Sequence, residues 1–279
     1  MTKKYKIKKI LISDSTYSLQ NKSLCFLSGN RLPIHTAGKG LMGRIQDRLK
    51  RWGGIYYSLL KFFGPVTGSL AFKKEKQKCL SKYTSKHIII NIGSGPQTFE
   101  GRTDIINVDM FAFDEVDLVA DAAELPIEDC SVDFIINIAM LEHVDNPNAV
   151  LEEMYRILKP GGEVLAYAPF IVPYHAAPHD YSRWTHQGLK TFFSSFDDAN
   201  IFIGCGPTSG ILYVLEEWLA ILLSFRSKTL HDIWFMIFMI VLFPFKYFDL
   251  LLERFDTAVN IASGFGIVAK KSIQCQSLN

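Results

Sequence analysis

The stretch "HIIINIGSGPQ", His87 to Gln97, is a greasy run that stops abruptly at Gly93-Ser94-Gly95-Pro96. A short, continuous apolar run closed by a glycine turn reads as a strand buried on both faces, the kind found inside a parallel sheet. The same pattern recurs downstream in "DIINVDM", "VDLVAD", "VDFIINIAM", "EVLAYAPF", "ANIFIGCG" and "GFGIVAKK". Between the fourth and fifth runs, "PNAVLEEMYRILKPGG" repeats Val150, Leu151, Met154, Ile157 and Leu158 at helical spacing, and Pro160-Gly161-Gly162 ends it. Strands alternating with helical segments build crossover units. The expected fold class is therefore α/β, a doubly wound, mostly parallel sheet of seven strands.

In such a sheet, ligands sit beyond the carboxyl ends of the strands, where strand order reverses. Gly93 and Gly95 give the first turn room for close approach and tolerance of positive φ. The third glycine of a dinucleotide-binding G-x-G-x-x-G is replaced by Thr98, and no P-loop lysine follows, so the turn does not ask for a phosphate. The next strand ends in Asp109, an acid suited to accepting both hydroxyls of a ribose. A third ends at Asp121, placed to accept from an exocyclic amine, with the Ala122 N–H available to a ring nitrogen. Strand-end acids are often only turn formers. Three successive strands ending Gly-rich, Asp and Asp make coincidence a poor account.

At this point "INIGSGP", "NVDM", "ADAAELP", "INIAMLEHV" and "RILKPGG" resemble the ordered motifs of class I S-adenosylmethionine-dependent methyltransferases, in the type 11 branch. The resemblance covers about residues 85–196 and implies a Rossmann-like core with S-adenosylmethionine as cofactor. It also implies that Gly93, Ser94 and Gly95 pack on the methionine and ribose portion, and that Asp109, followed by Met110, holds the ribose hydroxyls. Asp121 and Ala122 would read the adenine, and Asn137 and Ile138 would flank the methionyl end. Asn91 departs from the family, which often has an acid there to organise the cofactor's amino group.

Methyl transfer is an in-line displacement for which the protein aligns the nucleophile and removes its proton when required. The loop after the fifth strand, "PFIVPYHAAPHDYSRWT", crowds His175, His179, Asp180, Tyr181 and Arg183 into nine positions. We read His175, His179, Asp180 and Tyr181 as candidate catalytic groups, with Arg183, Glu142 and His143 as acceptor-binding ones. The alternative is that Asp180 and Arg183 pair to brace the loop while the histidines bond backbone. No metal is expected: Pro178 opposes a helical His175-x-x-x-His179 site. In addition, Ala139 stands where some quinone-type methyltransferases add an acid to a divalent-cation cluster.

Composition narrows the partners. A net charge of +2 from 30 basic and 28 acidic residues argues against nucleic acid. Five dispersed cysteines without a Cys-x-x-Cys pair indicate a reducing compartment. "MTKKYKIKK" has no apolar region after its basic start, so no secretory signal is expected.

Residues 1–82 read as an accessory region of short strands, resembling a zinc-ribbon hairpin that keeps only Cys25, followed by a basic amphipathic helix around Leu41, Ile45, Leu49 and Trp52. Residues 83–279 read as the main domain, with a hydrophobic helical insertion at about 210–258. The uninterrupted apolar run Ile233–Phe245 is 13 residues, short of a simple bilayer span. Flanking Arg226, Lys228, Lys246 and Arg254 favour peripheral membrane contact through 211–256; a homodimer interface or a lid over a lipid-like substrate stay open. The expected activity is methyl transfer to a small or lipid-linked acceptor, in the cytoplasm or at the inner face of the membrane. A non-catalytic cofactor-binding or scaffold protein of the same fold, or a nicotinamide-dependent oxidoreductase, are the other classes.

Overall fold

The computed structural model describes residues 2–27, 62–96, 98–99, 101–175 and 179–273. The basic amphipathic helix expected around Leu41–Trp52 lies outside them.

All seven expected strands are present: β3 (Ile89–Ile92), β4 (Ile106–Asp109), β5 (Leu118–Val119), β6 (Val132–Ile138), β7 (Leu158–Pro169), β8 (Asp197–Cys205) and β9 (Gly264–Lys270). They lie in the order β5-β4-β3-β6-β7-β9-β8, parallel as far as β7 and antiparallel across the closing β9 and β8. Side chains alternate between two cores, as the strand period requires. Ile88, Ile90, Ile92, Val164, Ala166 and Ala168 enter one, and Ile89, Leu165 and Tyr167 enter the other.

Helix α3 (Pro147–Ile157) covers the first face with Val150, Leu151, Met154 and Ile157. Asn146 caps it, Pro147 sits where no N–H is needed, and Gly161 at φ +77° lies in the irregular first part of β7, where the register against β6 shifts between Leu158 and Glu163. Burying each of those aliphatic side chains contributes roughly 1.5–3 kcal/mol. Helix α2 (Leu70–Lys82) covers the opposite face through Phe72 and Cys79. Helix α4 (His186–Phe192) packs Leu189 into the first.

The N-terminal reading needs correction. Two short strands are found, β1 (Ser18–Gln20) and β2 (Ser23–Cys25), but β2 pairs in parallel with β5. The sheet therefore has nine strands among the described residues. Ahead of them, where strands were expected to begin, runs helix α1 (Lys3–Ile10). Its Ile10 is fully buried in the main core, and its Lys6 donates to the backbone and carboxylate of Asp104. The described part of this region is thus a layer of the main body.

The insertion is helical as expected and somewhat wider, comprising α5 (Pro207–Leu223), α6 (Lys228–Leu242), α7 (Asp249–Leu252) and short 3-10 turns at Phe243–Phe248 and Asp256–Ile261. Its polarity is inverted. Glu216, Asp232, Lys246 and Asp249 are buried, whereas Trp218, Ile221, Leu222, Phe225, Ile240 and Val241 are exposed. The continuous helical stretch Lys228–Leu252 has 25 residues, long and apolar enough by length and composition to cross a membrane.

Candidate active site

Strand order reverses at β3, which has β4 on one side and β6 on the other. The carboxyl ends of these strands bring Gly93, Asp109, Asn137 and Ile138 to one crevice.

The Gly93 and Ser94 N–H groups both donate to Val108 O, at 2.9 and 3.1 Å. The Gly95 N–H donates to Asp109 Oδ2 at 2.7 Å, and Phe111 N–H to Oδ1 at 2.9 Å. Asp109 therefore stitches the glycine turn to β4 and still has a lone pair on each oxygen for a diol. Burial pushes its carboxyl up, opposed by the N–H groups of Phe111, Gly95 and Met110.

The two glycines differ. A Cβ on Gly95 (φ +55°) would meet open space, but one on Gly93 (φ +71°) would lie 2.3 Å from Met140 Cγ. Only Gly95 provides clearance; Gly93 makes room for Met140, a residue the sequence reading did not single out. Asn91 is buried and its amide donates to Asn107 Oδ1 at 3.3 Å, a bond between adjacent strands. Asn137 is fully buried, donates to Ile92 O at 3.1 Å, and leaves its Oδ1 without a partner. That acceptor, beside the glycine turn, suits the ammonium end of a methionyl group. Asp121 performs the turn-forming role held open for it, accepting from Ala123 N–H at 2.9 Å, with Ala122 half-buried beside it.

Across the crevice, the turn after β6 and the loop after β7 are stapled together. His143 Nδ1 is 2.6 Å from His179 O, and Tyr181 N–H donates to Glu142 O at 2.7 Å. Asp180, with its side chain 1% exposed, receives both Arg183 and the His175 N–H. This corrects the catalytic reading of Asp180. Its charge is committed to Arg183, which holds its carboxyl down at about 2, so it positions the loop and takes no proton near neutral pH. Arg183 likewise belongs to the brace, also donating to Pro173 O.

His179 and Tyr181 sit at the rim, their rings 5.6 Å apart, Tyr181 exposed. Deeper in, His143 and His175 face the carboxylate of Glu142 at 3.8 and 3.9 Å. Burial raises the Glu142 carboxyl to about 7 and lowers the His143 imidazole. A Cβ on Gly210 of α5 would lie 2.9 Å from Ile171 O, so the insertion packs against the loop after β7, and Tyr213 one turn on lies within electrostatic reach of Arg183 and Asp180. That proximity depends on tertiary packing, and no local pattern around Tyr213 announces it.

A family model described as a methyltransferase domain matches residues 103–166. A stretch of 95 residues is 28% identical to a protein of Mycolicibacterium smegmatis named "Probable S-adenosylmethionine-dependent methyltransferase". The stretch covers 30% of this chain and 37% of that relative, so well under half of the relative is spanned. Among solved structures, the chain is similar to Haemonchus contortus phospholethanolamine N-methyltransferase 2, in complex with phosphomonomethylethanolamine and S-adenosylhomocysteine. The identity is 14%, with 82% of this chain and 60% of that one covered and a TM-score of 0.47. It is also similar to an S-adenosylmethionine-dependent methyltransferase from Archaeoglobus fulgidus, at 19% identity, covering 78% and 100% of the two chains, with a TM-score of 0.45. The matched domain runs from just before β4 through the middle of β7, across the strands that carry Asp109 and Asn137. Taken with the motif order and the strand order, it supports reading this part of the chain as a class I S-adenosylmethionine-dependent methyltransferase domain.

Proposed function

We propose that this protein transfers a methyl group from S-adenosylmethionine to an amphipathic or lipid-linked acceptor presented at a membrane surface. The observation that carries the acceptor class is the inverted insertion. Phe225, just after α5, is 81% exposed and Trp218 on α5 57% exposed, while Glu216 is fully buried, and α5 packs its Gly210 so closely on the acceptor loop that an added Cβ would lie 2.9 Å from Ile171 O. A soluble helix normally presents the opposite faces, and an exposed apolar surface of this extent calls for a partner. Arg226, Lys228 and Arg254 at the ends of the apolar segments suit anionic headgroups.

The cofactor's fit rests on the chain's own atoms: the clearance at Gly95, the spare lone pairs of Asp109 and the unpartnered Asn137 Oδ1. When bound, S-adenosylmethionine supplies an electrophilic methyl group on its sulfonium. Asp109 binds the ribose, and the stapled loop fixes the acceptor's direction of approach. His179 and Tyr181 at the rim are placed to take up the acceptor's proton.

Calorimetry with S-adenosylmethionine tests the first half. Wild type binds, and Asp109→Ala weakens binding about 100-fold, the equivalent of losing two hydrogen bonds to a charged group. Labelled methyl from S-adenosylmethionine is then expected in the organic extract of a reaction supplied with total-lipid vesicles. Absence of cofactor binding, or binding indifferent to Asp109→Ala, would overturn the methyltransferase reading. Label confined to water-soluble products would overturn the lipid-linked acceptor.

A further inference from the structure

We propose that Glu142, His143 and His175 form a binding site for a divalent transition-metal ion of the zinc type, at the mouth where the acceptor enters. One ligand atom from each residue lies within 4.8 Å of the other two. The separations of 3.8 and 3.9 Å from Glu142 Oε1 to the two Nε2 atoms are a few tenths of an ångström wider than the roughly 3.4 Å edge of a tetrahedral zinc site. Side-chain adjustment closes a gap of that size.

Three further observations favour an ion over a chance cluster. Each imidazole has its Nδ1 against a backbone carbonyl, His143 to His179 O at 2.6 Å and His175 to Pro173 O at 3.0 Å. A carbonyl only accepts, so His143 Nδ1 carries the hydrogen; at His175 the 3.0 Å contact with Pro173 O favours the same tautomer over the longer 3.4 Å approach of the Arg183 Nη2 donor, and each Nε2 then presents its lone pair toward Glu142, as a metal requires. The Glu142 carboxylate is 0% exposed, and neither oxygen has a hydrogen-bond partner. A buried carboxylate without donors is costly and calls for a counter-charge. Arg183, the cation within electrostatic reach of it, is neutralised by Asp180, whose Oδ2 also lies 3.4 Å from His175 Nδ1. One carboxylate and two imidazoles leave a coordination position open and suit zinc-like ions better than magnesium or calcium, which prefer oxygen.

The sequence reading expected no metal on two grounds: it paired His175 with His179 along the chain, and it found Ala139 where a further acid would join Glu142 and His143. The fold pairs His175 instead with the turn after β6. In that position an ion binds an acceptor oxygen or nitrogen directly and lowers its pKa.

The test uses the full chain, stripped with a chelator, titrated with CoCl2 and then challenged with ZnCl2. Expected is a visible cobalt absorption band that zinc displaces. Its affinity should fall about 100-fold or more in Glu142→Gln and in His175→Ala, and should not change in His231→Ala, which disrupts the separate His231–Glu217 pair. Glu142→Gln preserves side-chain shape, and S-adenosylmethionine binding measured on each variant shows that it is folded. No band from protein that binds S-adenosylmethionine overturns the metal site. So does a band of unchanged affinity in both ligand variants, or one lost only in His231→Ala. A band without cofactor binding supports the metal site and counts against the methyltransferase reading, so the two fail separately.

Discussion

Gly93 and Gly95 occupy one turn and both take positive φ, yet an added methyl group meets different surroundings at each. Gly93→Ala drives its Cβ into Met140 and adds the left-handed penalty, and is expected to cost about 2–3 kcal/mol in urea unfolding. Gly95→Ala carries only the backbone penalty of about 1–2 kcal/mol, but its Cβ fills the clearance and should weaken cofactor binding about tenfold. Equal losses of affinity at equal stability would contradict the distinction. Asp104 provides a pH-dependent counterpart. The Arg102 side chain, assisted by Lys6, holds its folded pKa at about 2, against an ordinary value of about 3.9. A depressed carboxylate stabilises the fold fully above its unfolded pKa and loses that contribution as pH falls through its folded one. Asp104→Asn should therefore cost about 2 kcal/mol at pH 7 and progressively less from about pH 4 to pH 2. A pH-independent difference would exclude the linkage. At this scale residue types were legible in the sequence and roles only partly so. Asp109 stands where its strand-end position indicated, but the separation of Gly93 from Gly95 depends on Met140, and that of Asp180 from His175 on which neighbour claims the charge.

Helix ends show how elements lock to one another. Lys271, just after β9, donates to Tyr155 O at 2.7 Å and Leu158 O at 2.8 Å, at the C-terminal end of α3, and its Nζ lies 4.6 Å from the Tyr155 ring centroid. A cation there satisfies carbonyls that the helix leaves unbonded and complements its dipole. Lys271→Met keeps the apolar stem and is expected to lower stability by about 2 kcal/mol through lost charge-assisted bonds. An unchanged urea midpoint would show that water replaces the ammonium fully. The core strands were readable because a buried parallel strand needs a continuous apolar run, and "IINI" or "VLAYAP" has few other uses. Helix α1 was not. Its Lys-rich sequence lacks a clear apolar stripe, and what holds it is remote: Asp104 for Lys6, and the main core for Ile10. The parallel pairing of β2 with β5 was equally hidden, since its partner lies over 90 residues away and local pattern says nothing of it.

For the whole molecule, the decisive contrast is between a fold with the usual polarity around its sheet and an insertion with the reverse. If a bilayer covers the exposed face of α5 and α6, two contributions to binding should separate. Arg226, Lys228 and Arg254 act through anionic headgroups, at about 1 kcal/mol each, and are screened by salt. Trp218, Ile221 and Phe225 act by burial, which salt does not weaken. Co-sedimentation with phosphatidylserine-containing vesicles is therefore expected to fall several-fold between low and high salt without vanishing. Trp218→Glu combined with Phe225→Glu should remove the salt-resistant remainder, because each places a charge where the apolar face would enter the interface. Since both side chains are already exposed, the double variant should unfold at the same urea concentration as wild type. A second copy of the chain covering the same face predicts otherwise: light scattering would give a dimer that the double variant converts to monomer, and vesicles would leave wild type in the supernatant.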